Sequence, residues 1–99
     1  MPIETVRVVA HIRARAGKEE ELKRVLFRLL DPTRKESGCR EYKLYQNRQD
    51  PQDLTFVEEW DTDAALDAHL ESPHLETAVA AMVDLVEEEP DVRRYRHVE

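Results

Sequence analysis

With two glycines and one cysteine among 99 residues, the sequence lacks the raw material of several common sites. A phosphate-cradling loop needs glycines in close succession, and Gly17 and Gly38 stand far apart, so nucleotide binding has no support. A lone Cys39 rules out an internal disulfide and a Cys-pair metal site, and it fits a reducing compartment. Beside Gly38, at the start of an alternating stretch, it reads as a small buried hydrophobe. No apolar run approaches membrane-spanning length. Glu4, Arg7, Arg13 and Arg15 leave no room for the apolar core of a signal peptide. Positive charge is also in short supply: 15 basic against 22 acidic residues give a net charge of -7, with no Lys/Arg run interleaved with aromatics. A nucleic-acid partner is therefore not expected, and the chain reads as a soluble, cytoplasmic protein.

What is present is clear periodicity, in a length that suits one domain over residues 1–99 and a core that a second subunit would help to bury. Val6, Val8, Ala10, Ile12 and Ala14 alternate with Arg7, Val9, His11 and Arg13, which predicts a half-buried strand. From Gly17 onward Leu22, Val25, Leu26, Leu29 and Leu30 recur at helical spacing. Asp31-Pro32 is expected to kink or restart this helix, with Asp31 as cap and Pro32 at the first helical position, and Gly38 to end it in the left-handed region.

Residues 39–47 and 54–60 alternate on either side of a turn-rich stretch, which predicts a hairpin. Asp61 or Thr62 can cap a short helix through Leu70. Ser72 with Pro73 behind it opens another that carries Leu75, Ala78, Val79, Met82, Val83 and Val86. Pro90 closes that helix, and a last strand is expected over 92–98. The resulting βαββαβ order predicts an α+β, ferredoxin-like fold, a four-stranded antiparallel sheet with helices on one face. The open face would carry Val9, His11, Glu41 or Tyr45, Val57 and Tyr95. That is apolar enough to predict a homodimer packed sheet face to sheet face.

The segments "VVAHIRARAGKEEEL", "TRKESGCREYKLYQNRQDP", "FVEEWDTDAALDAHLESPH" and "VRRYRHV" together resemble the antibiotic biosynthesis monooxygenase family. The likeness rests on an ordered set: Gly17-Lys18, Glu36 to Cys39, Tyr42, Glu58, Trp60, His69, and Ser72 to His74. It implies a dimeric α+β barrel with an apolar pocket between sheet and helices. Several members oxygenate phenolic, quinol or anthrone substrates with O2 and without metal or flavin. Where the anthrone-oxidising members have asparagine and tyrosine, this sequence has Phe56 and Leu66. The histidine and asparagine that haem-degrading relatives need, near Val79 and Ala10, are absent. The nearest likeness is to short bacterial quinol monooxygenases.

Such chemistry asks for a base with near-neutral pKa and a flat apolar wall, which histidine and tryptophan supply. His69 is the candidate base and Glu58 its assistant. Trp60, Phe56, Tyr45 and Leu70 are candidate walls, with His74 at the pocket edge. Each has a plainer reading as well: Trp60 as core filler, Glu58 as a paired carboxylate, His74 as a packing residue of a Pro-started helix. His11 and His97 read as interface or surface residues. On one continuous helix positions 69 and 74 would lie about 140° apart, and Pro73 is expected to break the helix between them, so the logic of two ligands one turn apart does not apply and neither a metal site nor a cofactor is expected. Two other functions fit the same residues: a non-enzymatic binding or stress-related homodimer, and an isomerase of a small carbonyl metabolite.

Overall fold

A computed structural model describes residues 4–99. In chain order the elements are β1 (Val6–Arg13), α1 (Glu19–Phe27), α2 (Leu30–Arg34), β2 (Cys39–Gln46), β3 (Asp53–Trp60), α3 (Asp63–Leu70), α4 (Pro73–Met82) and β4 (Asp91–Tyr95). The strands form one sheet in the order β2-β3-β1-β4, every neighbouring pair antiparallel, which is the ferredoxin-like arrangement expected.

The two-residue period of β1 sorts its side chains. Val6, Val8, Ala10 and Ile12 are buried beneath the helices, opposite Trp60, Glu58, Phe56 and Leu54 of β3. Val9 faces Val57, and His11 faces Thr55, on the other side of the sheet. Leu22 and Leu26 of α1 are wholly excluded from water, each contributing roughly 1.5–3 kcal/mol by burial. Gly38 adopts φ +87 and its carbonyl accepts the Asp61 N–H at 2.8 Å, so the left-handed turn ties the start of β2 to the end of β3.

Gly38, expected to end the helix, is left-handed but lies beyond it, because α2 already stops at Arg34 with Lys35 as its C-cap. Three further boundaries differ from the sequence reading. The helix restart comes earlier than Asp31-Pro32: Leu29 caps α2, and Asp31 and Pro32 lie within its first turn. Proline is tolerated there because the first N–H groups of a helix have no intrahelical partner. The second correction concerns α4, which stops at Met82 rather than running to Val86. Leu85 and Val86 both donate to the Met82 carbonyl, and Val86 then pairs with Ala14 beyond the end of β1. Finally, β4 ends at Tyr95, short of Val98.

Candidate functional site

The helix junction at Glu71-Ser72 builds the site. Thr62 Oγ1 accepts the Ala65 N–H at 3.1 Å to start α3, and Ser72 Oγ accepts the Leu75 N–H at 3.4 Å to start α4, with Pro73 in its first turn. Because the chain breaks between them, the last turn of α3 and the first turn of α4 face a common point. That point is the Glu36 carboxylate, carried on the loop between α2 and β2. His69 Nδ1 and His74 Nε2 each lie 2.7 Å from the same oxygen, Glu36 Oε2. The angular separation expected for a continuous helix therefore does not apply, and the two histidines converge.

An ionised carboxylate only accepts hydrogen bonds, so Nδ1 of His69 carries the hydrogen and Nε2 keeps its lone pair. The ring is held on both sides: Trp60 lies 4.8 Å away, tilted 32°, and Tyr42 meets it edge-on at 5.4 Å. His69 is 2% exposed, and burial lowers its pKa against the opposing pull of Glu36, which favours the neutral base.

Glu58 is the second titratable group. It projects inward from β3, 4% exposed, and accepts the Trp60 indole N–H at 2.9 Å. Burial pushes its pKa up to about 7; the Trp60 hydrogen bond opposes this and the nearby Glu36 charge adds to it. Near neutrality the site thus pairs a neutral imidazole with a carboxyl close to half-protonated.

Both groups line a hollow of about 160 Å³ between sheet and helices. Its floor is Val8, Ala10 and Phe56, with Tyr42 stacked on Phe56 at 4.7 Å. Its roof comes from Leu66 and Leu70 of α3 and Leu75 and Met82 of α4. Past Met82, Val79, Pro90 and Val92 it opens into an apolar groove of about 570 Å³. A polar cleft of about 490 Å³ near Thr5 and Tyr95 holds no free chemistry, because its Arg94 is paired with Asp63 and Asp67 and its Arg96 with Glu4.

The structure therefore brings together His69, Glu58, Phe56 and Leu70 at the hollow. Trp60 lies behind it, fully buried, in contact with both Glu58 and His69. Tyr45 lies elsewhere. It is three residues from the inward Tyr42, so the strand period turns it to the open face, where it is 52% exposed. His74 reaches the site only through Glu36. His11 and His97 sit on the sheet's open side, bonded to Thr55 and Glu59. Glu36 and Tyr42, which the sequence offered only as parts of the family pattern, complete the cluster.

Glu36, His69 and His74 offer three ligand atoms within 4.8 Å of one another, the composition of a two-histidine, one-carboxylate metal site. Their two 2.7 Å separations are hydrogen-bond lengths, however, well below the ~3.4 Å between donor atoms around a tetrahedral zinc. The residues as arranged fit protons between them rather than an ion.

Similarity to known proteins agrees with this architecture. Residues 5–81 match the model of the family described as "Antibiotic biosynthesis monooxygenase". "Putative monooxygenase Rv0793" of Mycobacterium tuberculosis is 38% identical over 69 residues, 70% of this chain and 67% of that protein. The protein sll1783 of Synechocystis is 28% identical over 93% of this chain, which spans only 63% of that relative's length. The crystal structure of PA3566 from Pseudomonas aeruginosa superposes with a TM-score of 0.91 at 29% identity, over 97% of this chain and 96% of that one. Among the described residues no helix is long and apolar enough to cross a membrane. The chain belongs to the antibiotic biosynthesis monooxygenase family.

Proposed function

We propose that the protein is a cofactor-independent monooxygenase that oxidises a quinol, phenol or related polyketide-like aromatic with O2. One observation carries the reading: the neutral face of His69 and the raised-pKa carboxyl of Glu58 both border an otherwise apolar hollow. An electron-rich phenolate can pass an electron to O2 directly, so the protein has only to ionise the ring hydroxyl, hold the ring flat and exclude water. His69 Nε2 takes the hydroxyl proton. The imidazolium so formed, held by Glu36, faces the new anion. The substrate gives up the hydroxyl hydrogen, one ring C–H hydrogen and all four electrons: one oxygen atom stays on that carbon in a quinone-level product, and the other leaves as water, protonated by the His69 imidazolium and by Glu58, which regains its proton from the C–H carbon. Phe56 and Leu70 supply the walls, and the outer groove admits what the inner volume cannot hold.

Two copies are proposed to pack through the open sheet faces. There Val9 and Val57 form an apolar centre rimmed by the Arg7–Glu41 pair at 2.7 Å and by Tyr45 and Tyr95.

Oxygen uptake by chelator-treated protein, with menadiol, naphthols and anthrones offered in turn, tests the reaction. Uptake above the uncatalysed rate is expected for at least one of them. If none is oxidised and none raises the melting temperature, the reading fails. Turnover of a carbonyl metabolite under anaerobic conditions would instead indicate an isomerase.

A further inference from the structure

The two histidines that meet at Glu36 differ in what lies beyond them. The His69 side chain is 3% exposed and faces the hollow. The His74 side chain is 24% exposed and borders a separate groove with Arg28, Leu29 and Thr77. Three side chains thus connect the interior volume to a different surface through hydrogen bonds alone. A substrate filling the hollow would cut the buried ring off from water, while the exposed ring keeps its contact with it.

We propose that Glu36 and His74 are the proton outlet of the site: uptake of a proton by His69 from a molecule in the hollow is matched by release of a proton from His74 to water. The inference rests on the reading of His69 as the base. Its physical ground is that both rings donate to one oxygen, with ring centres 6.1 Å apart. One carboxylate neutralises one imidazolium, and a second on the same oxygen is repelled by the first. Of the two rings sharing Glu36, the one nearer water, His74, is where a positive charge costs least to hold. When the substrate O–H bond breaks and an N–H bond forms at His69 Nε2, the charge moves to His69. The N–H bond at His74 Nδ1 breaks and that proton joins a water molecule. Neither ring changes the nitrogen that faces Glu36, and the triad keeps the same net charge while the substrate anion gains a cationic neighbour; the cycle closes when His69 Nε2 gives its proton to the departing oxygen and His74 Nδ1 takes one back from water.

Other titratable or charged groups surround the triad: Glu58, Tyr42 and Cys39 from the sheet, Arg34 from α2 and Arg28 after α1. None is hydrogen-bonded to either imidazole, so Glu36 alone couples them. In this account Glu36 is a positioning residue, and His74 acts through it without touching substrate.

The test mixes the protein anaerobically, at about pH 6, with a 1-naphthol made as acidic as an imidazole by an electron-withdrawing ring substituent, so that its proton can pass to the buried His69, whose lowered pKa keeps it a neutral base. Naphtholate absorption and, in weak buffer, an indicator dye for released protons are followed together. Wild-type protein is expected to form naphtholate and release a matching proton. His74→Gln, with His74→Asn as a second variant, is expected to form naphtholate while releasing none. Its steady-state turnover in weak buffer should fall about tenfold and recover with added imidazole, a rescue that a misfolded chain would not show. Undiminished proton release from both variants would overturn the outlet and leave the base standing. Absence of naphtholate in wild type would overturn the base, and the outlet with it.

Discussion

Trp60 donates its indole N–H to the carboxyl of Glu58, 2.9 Å away and two residues back along the same face of β3. The contact makes a buried carboxyl tolerable without making it acidic, since burial still holds its pKa at about 7 against an ordinary 4.5. The folded protein therefore binds a proton that the unfolded chain has already lost between these values. Stability from this group is complete below pH 4.5 and falls as pH rises to about 7, by on the order of 3 kcal/mol. Glu58→Gln should flatten that decline in urea titrations across the interval. Trp60→Phe, which removes the donor, should raise the Glu58 pKa further and extend the decline to higher pH. His69, whose pKa is lowered, works in the opposite direction, its stability contribution falling as pH drops through and below the ordinary value of 6.5, so the Glu58→Gln difference curve is the informative one.

The two left-handed glycines should not respond alike. Both have φ +87, but a Cβ at Gly38 would meet the Ala65 Cβ at 2.6 Å, whereas at Gly17 it would find nothing within 4 Å. Gly17→Ala should cost about 1–2 kcal/mol, the penalty of the backbone conformation. Gly38→Ala should add about 1–3 kcal/mol of overpacking to that and displace the loop carrying Glu36. Thermal or urea unfolding of the two variants gives the comparison, and equal losses would contradict it.

Much of this was legible because its causes are local. The alternation of β1, the Thr62 and Ser72 caps, Pro73 and the turn at Gly38 are each decided by a few neighbouring residues. The Glu36 bridge was not legible. It spans 33 and 38 residues to its two partners, and a glutamate before Ser-Gly carries no mark of burial. The early end of α4 also depends on a distant element, because Val86 leaves the helical pattern to pair with Ala14. Tyr45 was misplaced as a pocket wall although strand parity sets it opposite Tyr42.

Filling the hollow should separate binding from stability. Ala10 forms part of the floor and is 5% exposed, so Ala10→Leu projects into the existing 160 Å³ instead of into packed atoms. The variant is expected to melt at or above the wild-type temperature and to lose any stabilisation by naphthols. A retained ligand shift in differential scanning fluorimetry would move the binding site away from this volume.

The sheet-face dimer makes a plain prediction about mass. Val9 and Val57 are cross-strand partners at the centre of the open face. Light scattering at micromolar concentration should give twice the chain mass of 11.6 kDa for wild type, and a monomer for Val9→Lys combined with Val57→Asp. A wild-type monomer would contradict the proposal.

The central claim is that a neutral His69, aimed by Glu36, ionises the molecule held in the hollow so that O2 can react with it. The most direct test is oxygen consumption by wild type and His69→Ala with whichever quinol or phenol the wild type oxidises, both freed of metal by chelation and confirmed folded. The account predicts a loss of about a hundredfold or more in kcat/KM for His69→Ala, with the substrate still bound. Oxidation by His69→Ala at the wild-type rate would contradict it.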